Sequence, residues 1–525
     1  MERLAVVGTG PTGIYTFKGI LEASSPMSIS LFESGDAIGV GMPYSKENSS
    51  KSMLANIASI EIPPVIDSYI DWLAAQSDSD LRAYGVDPAD LDDRKFTPRL
   101  LLGLYFREQL LALVDQAKQK GIEVGIHENA EVSDVIARQE GLLVSTQSGA
   151  TEGPFDRVVL ATGHDFPDAD EATRSYFPSP WSGLIQAEVP AVRVGILGTS
   201  LSGIDAAMAV ANQHGRFRRK DSELSFEHVA NGLQITLMSW TGVLPEADFY
   251  CPIPYQPLQI MTDAAVAACA SESAPLDAVF ELFCAEIMLA DPQYAQRINL
   301  ETLTADTFGN AYFAAREAQD AFRWARKNLE EVEYNKAHKI TVSWRYALLR
   351  MHEKVESILP NLSETDRKRF DGGLKTVFVD NYAAVPSESI RRLLALRDAG
   401  ILSVLALGTD YELQRKNYGT VIIAEGKTHV FDVFVDARGQ KPLTSADLPF
   451  RSVREALLKA GKEIPRVDEE YNMVGVPAYA GRLTLAAIPY LMHERPFVQG
   501  ITASAEIGAA IASGLMAANR VRRRA

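Results

Sequence analysis

The chain has 525 residues, 46% hydrophobic and 23% charged, with 52 basic against 68 acidic side chains and a net charge of −16. This is the composition of a folded globular protein of about three domains. The acidic excess excludes a general binder of nucleic acid or anionic membrane, because phosphate neutralisation needs clustered Lys and Arg.

Leu4 to Val7 is a short apolar run, which predicts a buried parallel strand. Gly8, Gly10 and Gly13 follow in G-x-G-x-x-G spacing, with Pro11 and Thr12 between them. A helix-period stripe comes next: Ile14, Phe17, Ile20 and Leu21. In such a turn the first glycine permits the bend, the second admits a pyrophosphate, and the third lets the helix pack on the strand. The helix N-terminus then faces the phosphates. A second strand, "SISLFE", ends in Glu33, twenty residues after Gly13, where a carboxylate can accept from ribose hydroxyls. Asn56, in "LANIAS", either hydrogen-bonds a cofactor edge or caps a turn. Thr97 and Pro98 read as N-cap and first residue of a helix running to Lys120, with Gly121 ending it. Arg99 and Tyr105 fall in its first turns.

Residues 193–197 form a second apolar strand leading to Gly198, Thr199, Ser200 and Gly203, a copy of the first turn with serine at the middle position. The strand after it, 233–238, ends in Ser239-Trp240-Thr241 without an acid. That absence, with the basic "RFRRK" at 216–220 nearby in sequence, favours a 2′-phosphate and hence NADPH, with NADH still open. An exposed, solvated loop is the alternative for 216–220. A final basic cluster, Arg520 and Arg522 to Arg524, reads as a solvated tail.

Two stretches, 141–167 and 419–442, share one pattern. Strand, polar turn and strand lead into Phe155-Asp156 and then Ala161-Thr162-Gly163 in the first copy. The second copy runs through Phe431-Asp432 to Ala437-Arg438-Gly439. A buried strand ending in such a turn lets the chain cross close to a dinucleotide. The alternative is a pair of hairpins that only look alike.

The Ala-Thr-Gly turn between two dinucleotide fingerprints resembles the two-dinucleotide-binding-domain flavoproteins. The ordered set "GVGMPYS" (39–45), "MLANIASIEIP" (53–63), "FTPRLLLGLYFREQL" (96–110) and "PSPWSG" (178–183) is similar to a bacterial FAD/NAD(P)-binding family. The broader group includes flavin monooxygenases that N-oxidise aspartate to nitrosuccinate and, more distantly, hydroxylases of amines, lysine and ornithine. The resemblance implies FAD at the first turn, NAD(P)H at the second, and a small-molecule substrate with O2. It also places Arg99 near the flavin or its pyrophosphate, a surface arginine being the alternative. The loop into the small-residue helix after residue 497 would set Gly500, Ile501 and Thr502 against the flavin, although the Asp that often precedes this element is absent here. The stripe of small residues in that helix reads equally as close packing on the first strands.

The expected fold is α/β: two Rossmann-like domains of the glutathione-reductase and flavin-monooxygenase type, with a helical insertion. The FAD domain is expected at 1–188 and 425–525, the NAD(P)H domain at 189–249 and 371–424, and the insertion at 250–370. Ser387 reads as a possible helix cap and Gly400 as a helix stop. Candidate pocket residues are Asp248, Tyr250, Tyr255, Trp344, Arg345 and Tyr346, core or surface structure being the alternative for each. His164, after Ala-Thr-Gly, and His493 are either hydrogen-bonding partners of the flavin or loop residues. With Asn56 and Arg99, His164 completes the catalytic candidates, and no metal set stands out.

The expected activity is an FAD-dependent NAD(P)H oxidoreductase: a monooxygenase acting on an amine or amino acid through a C4a-hydroperoxyflavin. A reductase passing electrons to a small acceptor, or a non-enzymatic redox sensor, is the alternative. The stretch 176–183, "YFPSPWSG", lacks the histidine that flavin-containing monooxygenases carry before their second fingerprint. Three cysteines without a C-x-x-C pair point to a reducing compartment and exclude a dithiol centre. No window holds 18 uninterrupted apolar residues, and a strand at Leu4 leaves no room for a signal peptide, so a cytoplasmic location is expected. Nothing in the sequence sets the oligomeric state.

Overall fold

A computed structural model describes residues 2–22, 27–221 and 223–524; the side chains beyond 517 lie outside the described set, and with them the basic cluster at 520–524. The chain divides into two compact units, 1–165 with 440–525 and 166–439.

The first unit is built on a five-stranded parallel sheet. Its strands include β1 (Glu2–Val7), β2 (Met27–Phe32) and β3 (Glu123–His127). An antiparallel meander follows: β4 (Val132–Ala137), β5 (Leu142–Thr146) and β6 (Thr151–Phe155), leading into β7 (Arg157–Leu160). The order in the large sheet is strand Leu483–Leu485, then β7, β1, β2 and β3. The alternation of β1 supplies two cores. Leu4 and Val6 join the cluster on one face and Ala5 and Val7 the cluster on the other, as a strand buried on both sides requires.

Helix α1 (Pro11–Glu22) and the C-terminal helix Gly500–Arg524 pack together without intervening bulk. A methyl on Gly508 would lie 2.6 Å from the Thr16 nitrogen, and one on Gly19 would lie 2.6 Å from the Ala512 methyl. The small-residue stripe is therefore a helix–helix seam. The segment Gly500–Ala517 has the length and mean hydropathy, 1.3, of a membrane span, although Thr502, Ser504, Glu506 and Ser513 interrupt its apolar residues.

The second unit repeats the plan. Its parallel sheet runs β13 (Leu402–Ala406), β12 (Gln234–Ser239), β9 (Arg193–Leu197), β17 (Val433–Asp436) and β8 (Tyr176–Phe177). Its own meander is β14 (Glu412–Lys416), β15 (Gly419–Ala424) and β16 (Lys427–Phe431). The two copies match in detail. Asp156 accepts from the Arg3 amide at 2.8 Å, and Asp432 accepts from the Arg193 amide at 3.1 Å. The Ala161 amide donates to Val7 at 2.7 Å and the Ala437 amide to Leu197 at 2.8 Å.

The expected boundaries move. Strand β17 pairs with β9, and β8 pairs with β17, so residues 425–439 and 166–188 lie in the second unit and not with the first turn. Helices of the insertion run from Asp263 to Tyr382, beyond the expected limit at 370. Ser387 is the first residue of helix Ser387–Asp398, behind Pro386, and its side chain is not the cap. Gly400, at φ 74°, ends that helix as expected.

Candidate functional site

The first glycine turn sits where β1 ends. Gly8 has φ 92°, and a methyl there would fall 2.3 Å from the Ala161 carbonyl oxygen. Two constraints thus demand glycine: the left-handed backbone and the Ala161-Thr162-Gly163 turn lying against it. A methyl on Gly13 would lie 2.2 Å from the Gly8 carbonyl, which is the close helix–strand approach expected of the third position. The second turn has the same build. A methyl on Gly198 would meet the Ala437 carbonyl at 2.5 Å, and one on Gly203 would meet the Gly198 carbonyl at 2.3 Å. Ser200 precedes helix α3 (Leu201–Ala211) in an extended conformation, φ −95°, so no left-handed backbone calls for glycine there. Thr199 is buried beside it.

Glu33, Thr162 and the start of the C-terminal helix contact the first turn. Thr12 donates to the Ser504 hydroxyl at 3.0 Å, which brings the N-termini of α1 and the C-terminal helix side by side. Their unpaired amides concentrate positive potential in one place. Gly163 and Gly500, both left-handed, have open space where a side chain would stand. Thr502 is exposed, whereas the Ile501 side chain is core and offers only backbone. The Glu33 carboxylate accepts from the Thr9 hydroxyl at 2.5 Å and the Thr9 amide at 3.2 Å, so the acid is already aimed at the turn.

The segment 39–44 connects this turn to helix α2 (Arg99–Gln119). Gly41 sits against Gly10 and Pro11, while a methyl on Gly103 of α2 would reach the Tyr44 carbonyl at 2.6 Å. Burial pushes the Tyr44 phenol up to about 12, with the Arg99 charge pulling the other way. The Arg99 amide donates to Met53 and the Ala55 amide to Thr97. The exposed Asn56 and the buried Arg99 therefore belong to neighbouring segments. Thr97 is not the N-cap. Pro98 holds that position, and the Thr97 hydroxyl pairs with the Tyr69 phenol at 2.6 Å. Tyr105 is core, its hydroxyl donating to Asp67 and accepting from Val65.

His164 hydrogen-bonds Gln440, and burial lowers its pKa below 6.5, which keeps the imidazole neutral. The Asp165 amide also donates to Gln440, at 3.0 Å. His493 contacts the Leu443 carbonyl at 3.1 Å.

Residues 216–220 are not a loop. These residues form a strand, β10 (Gly215–Lys220), paired with β11 (Glu223–His228). The hairpin follows the far end of α3, where His214 and Gln213 hold Val189, ahead of β9. It therefore begins at the other end of α3 from Gly198. Its arginines already face carboxylates: Arg216 and Arg218 face Glu227, and Arg219 faces Glu388. Arg438 was assigned no role in the sequence, yet it adjoins Ala437, whose carbonyl closes on Gly198. Asp436 holds its guanidinium through two hydrogen bonds, 2.9 and 2.6 Å. The detectable signal was its place in the repeat, opposite Thr162.

Among the pocket candidates, Trp344 and Arg345 line a cavity of about 620 Å³ in the second unit. Tyr346 does not; its hydroxyl accepts from the Gln256 amide at 2.7 Å in the core. Asp248 pairs with Lys336 at 2.9 Å, and Tyr255 is exposed. Among the described residues no group of three or more His, Cys, Asp or Glu is placed to hold a metal.

Two parallel sheets, each with a glycine turn and a crossing Ala-x-Gly, define an FAD/NAD(P)-binding oxidoreductase fold. Family models agree: one described as FAD-NAD(P)-binding matches residues 5–165, and one described as the YdhS-like middle domain matches 262–382. The chain belongs to the YdhS family, being 54% identical to the uncharacterized protein YdhS of Escherichia coli K12 over 100% of this chain and 99% of that one. The fold is also similar to the ornithine N-hydroxylase KtzI of Kutzneria sp. 744, described with reduced FAD, NADP+ and L-ornithine. That likeness has a TM-score of 0.50 and 15% identity over 99% of both chains.

Proposed function

We propose that this chain is an FAD-dependent NAD(P)H oxidoreductase working as a monooxygenase on a small amine or amino acid. The observation that carries the reading is the pair of dinucleotide turns of one build in one chain. A redox sensor needs no second turn for a reductant. The choice of monooxygenation draws on the fold shared with an ornithine N-hydroxylase.

The first unit would hold FAD. Gly10, Thr12 and Gly13 would offer the pyrophosphate backbone amides at the α1 N-terminus, while Gly8, whose own amide donates to Phe32, makes the bend and Pro11, which has no N–H, opens the helix. Glu33 offers a carboxylate to ribose hydroxyls. Thr162, Gly163 and the backbone of Gly500 to Thr502 line the space where the flavin would lie, and Arg99 supplies a buried positive charge. Neutral His164, fixed by Gln440, can hold or pass one proton at a ring nitrogen. Gly198, Thr199, Ser200 and Gly203 would receive the nicotinamide dinucleotide, with Arg438 as an anion contact. Bound FAD supplies hydride acceptance from NAD(P)H and electron delivery to O2 or another acceptor.

A reductase is the second reading, favoured by the lack of histidine in 176–183, where Ser182 bonds the Pro167 carbonyl and Ser179 instead. The test is NAD(P)H oxidation under labelled O2 with a panel of amines and amino acids. A monooxygenase transfers label into a product in proportion to NAD(P)H used. Substrate-dependent NAD(P)H oxidation without label in any product would establish the reductase and remove the monooxygenase.

A further inference from the structure

We infer that the cavity in the helical region of the second unit is a binding site for a small organic acid, a carboxylate on an apolar or aromatic body. Its volume of about 620 Å³ falls in the range of small-molecule sites, about 300–1,000 Å³. The inference rests on this unit alone and does not depend on the flavin reading.

The floor is made of buried charges paired with one another, with one N–H of each arginine left over. Glu246 accepts from Trp324 Nε1 at 2.9 Å through one oxygen and from Arg345 at 2.6 Å through the other. Arg316 is held by Asp380 and by the Leu244 carbonyl. Both guanidiniums are at least nine-tenths buried, and the Nε of each lacks a hydrogen-bond partner. A buried N–H without an acceptor is costly, and the two arginines that carry these groups are both lining residues of the cavity. Guanidinium N–H groups bind carboxylate oxygens more strongly than neutral acceptors.

The rim and walls set charge and shape. Arg297 and Lys327 are exposed at the mouth against a single Glu331, leaving one net positive charge to draw in an anion. Tyr294 and Trp344 stack at 4.1 Å, nearly parallel, with Tyr312 edge-on to Trp344 at 6.0 Å. Arg297 lies over the Tyr294 ring at 5.2 Å. Ala311, Ala314 and Ala315 of helix Phe308–Glu317, with Ile298 and Val342, complete a largely apolar wall suited to the body of the acid.

Calorimetric titration of the full chain with benzoate and with phenylacetate, at fixed ionic strength and without NAD(P)H, tests the inference. At least one should bind saturably with a stoichiometry of one. Benzylamine, the same body with the opposite charge, should bind at least about tenfold more weakly. Ala315→Trp fills the cavity from an exposed helix position and leaves the buried ion pairs intact, so it should abolish binding while the melting temperature stays put. Arg297→Gln with Lys327→Gln should weaken binding severalfold. Absence of saturation with both acids, equal binding of benzylamine, or wild-type affinity in a folded Ala315→Trp variant would overturn it.

Discussion

Replacing Gly13 and Gly203 separately with alanine tests whether the two turns do different work. Neither glycine has a left-handed backbone, so alanine is conformationally acceptable at both. The obstacle is contact. The new methyl would lie 2.2 Å from the Gly8 carbonyl in one case and 2.3 Å from the Gly198 carbonyl in the other, against a practical limit of 3.0 Å. Both obstructions are backbone, so the following helix must retreat by roughly 0.7–0.8 Å. Overpacking of this kind costs about 1–3 kcal/mol, and a unit of this size loses about 2–4 °C in melting temperature per kcal/mol. The retreat also takes the helix amides away from a bound phosphate. Charge-assisted hydrogen bonds contribute about 1.5–3 kcal/mol, so the affinity of the affected nucleotide should fall about 10–100-fold. Flavin content and NAD(P)H kinetics read the two effects apart. Gly203→Ala should keep its FAD and raise KM for NAD(P)H; Gly13→Ala should lose FAD. The assignment of the turns is refuted if Gly203→Ala strips the flavin, or if both variants melt lower yet keep both nucleotide affinities.

Arg438→Ser should raise KM for NAD(P)H about tenfold at unchanged flavin content, as steady-state kinetics would show; an unchanged KM removes its role. Thr97→Val strands the buried Tyr69 hydroxyl and should cost about 1–3 kcal/mol, measured by urea unfolding, while Thr97→Ser should be nearly neutral. Asp156→Ala deletes the acceptor for the Arg3 amide and should cost about 1 kcal/mol in the same assay. For His164 the folded pKa lies below 6.5, so the unfolded chain takes the proton first as the solution is acidified. Its contribution to stability is complete above pH 6.5 and is lost as pH falls through the folded pKa. His352 behaves alike, so the test is the difference between wild type and His164→Asn, whose stability should vary less between pH 7 and 5.

What the sequence disclosed and what it concealed divide along the range of the interactions. Both glycine turns were legible because their demands are local: Gly13 must clear Gly8, five residues back, and Gly203 must clear Gly198. The Phe-Asp repeat was legible as a pattern, but its work was not, since the Asp432 clamp on Arg193 spans 239 residues. The same distance hid the boundary at 425: β17 reads as an ordinary apolar strand, and only pairing with β9 assigns it to the second sheet. The charge of residues 216–220 suggests either a phosphate contact or a solvated loop, whereas continuous pairing with β11 makes them a hairpin. The cavity draws Glu246, Tyr294, Arg316 and Arg345 from four separated stretches, so local periodicity gave no sign of the set.

The most direct test of the account is anaerobic titration of the purified full chain, loaded with FAD, by NADPH and by NADH. The account predicts a stoichiometric flavoprotein whose visible absorption bleaches with one equivalent of at least one nucleotide. A chain that takes up no FAD, or a bound flavin that neither nucleotide reduces, would contradict it.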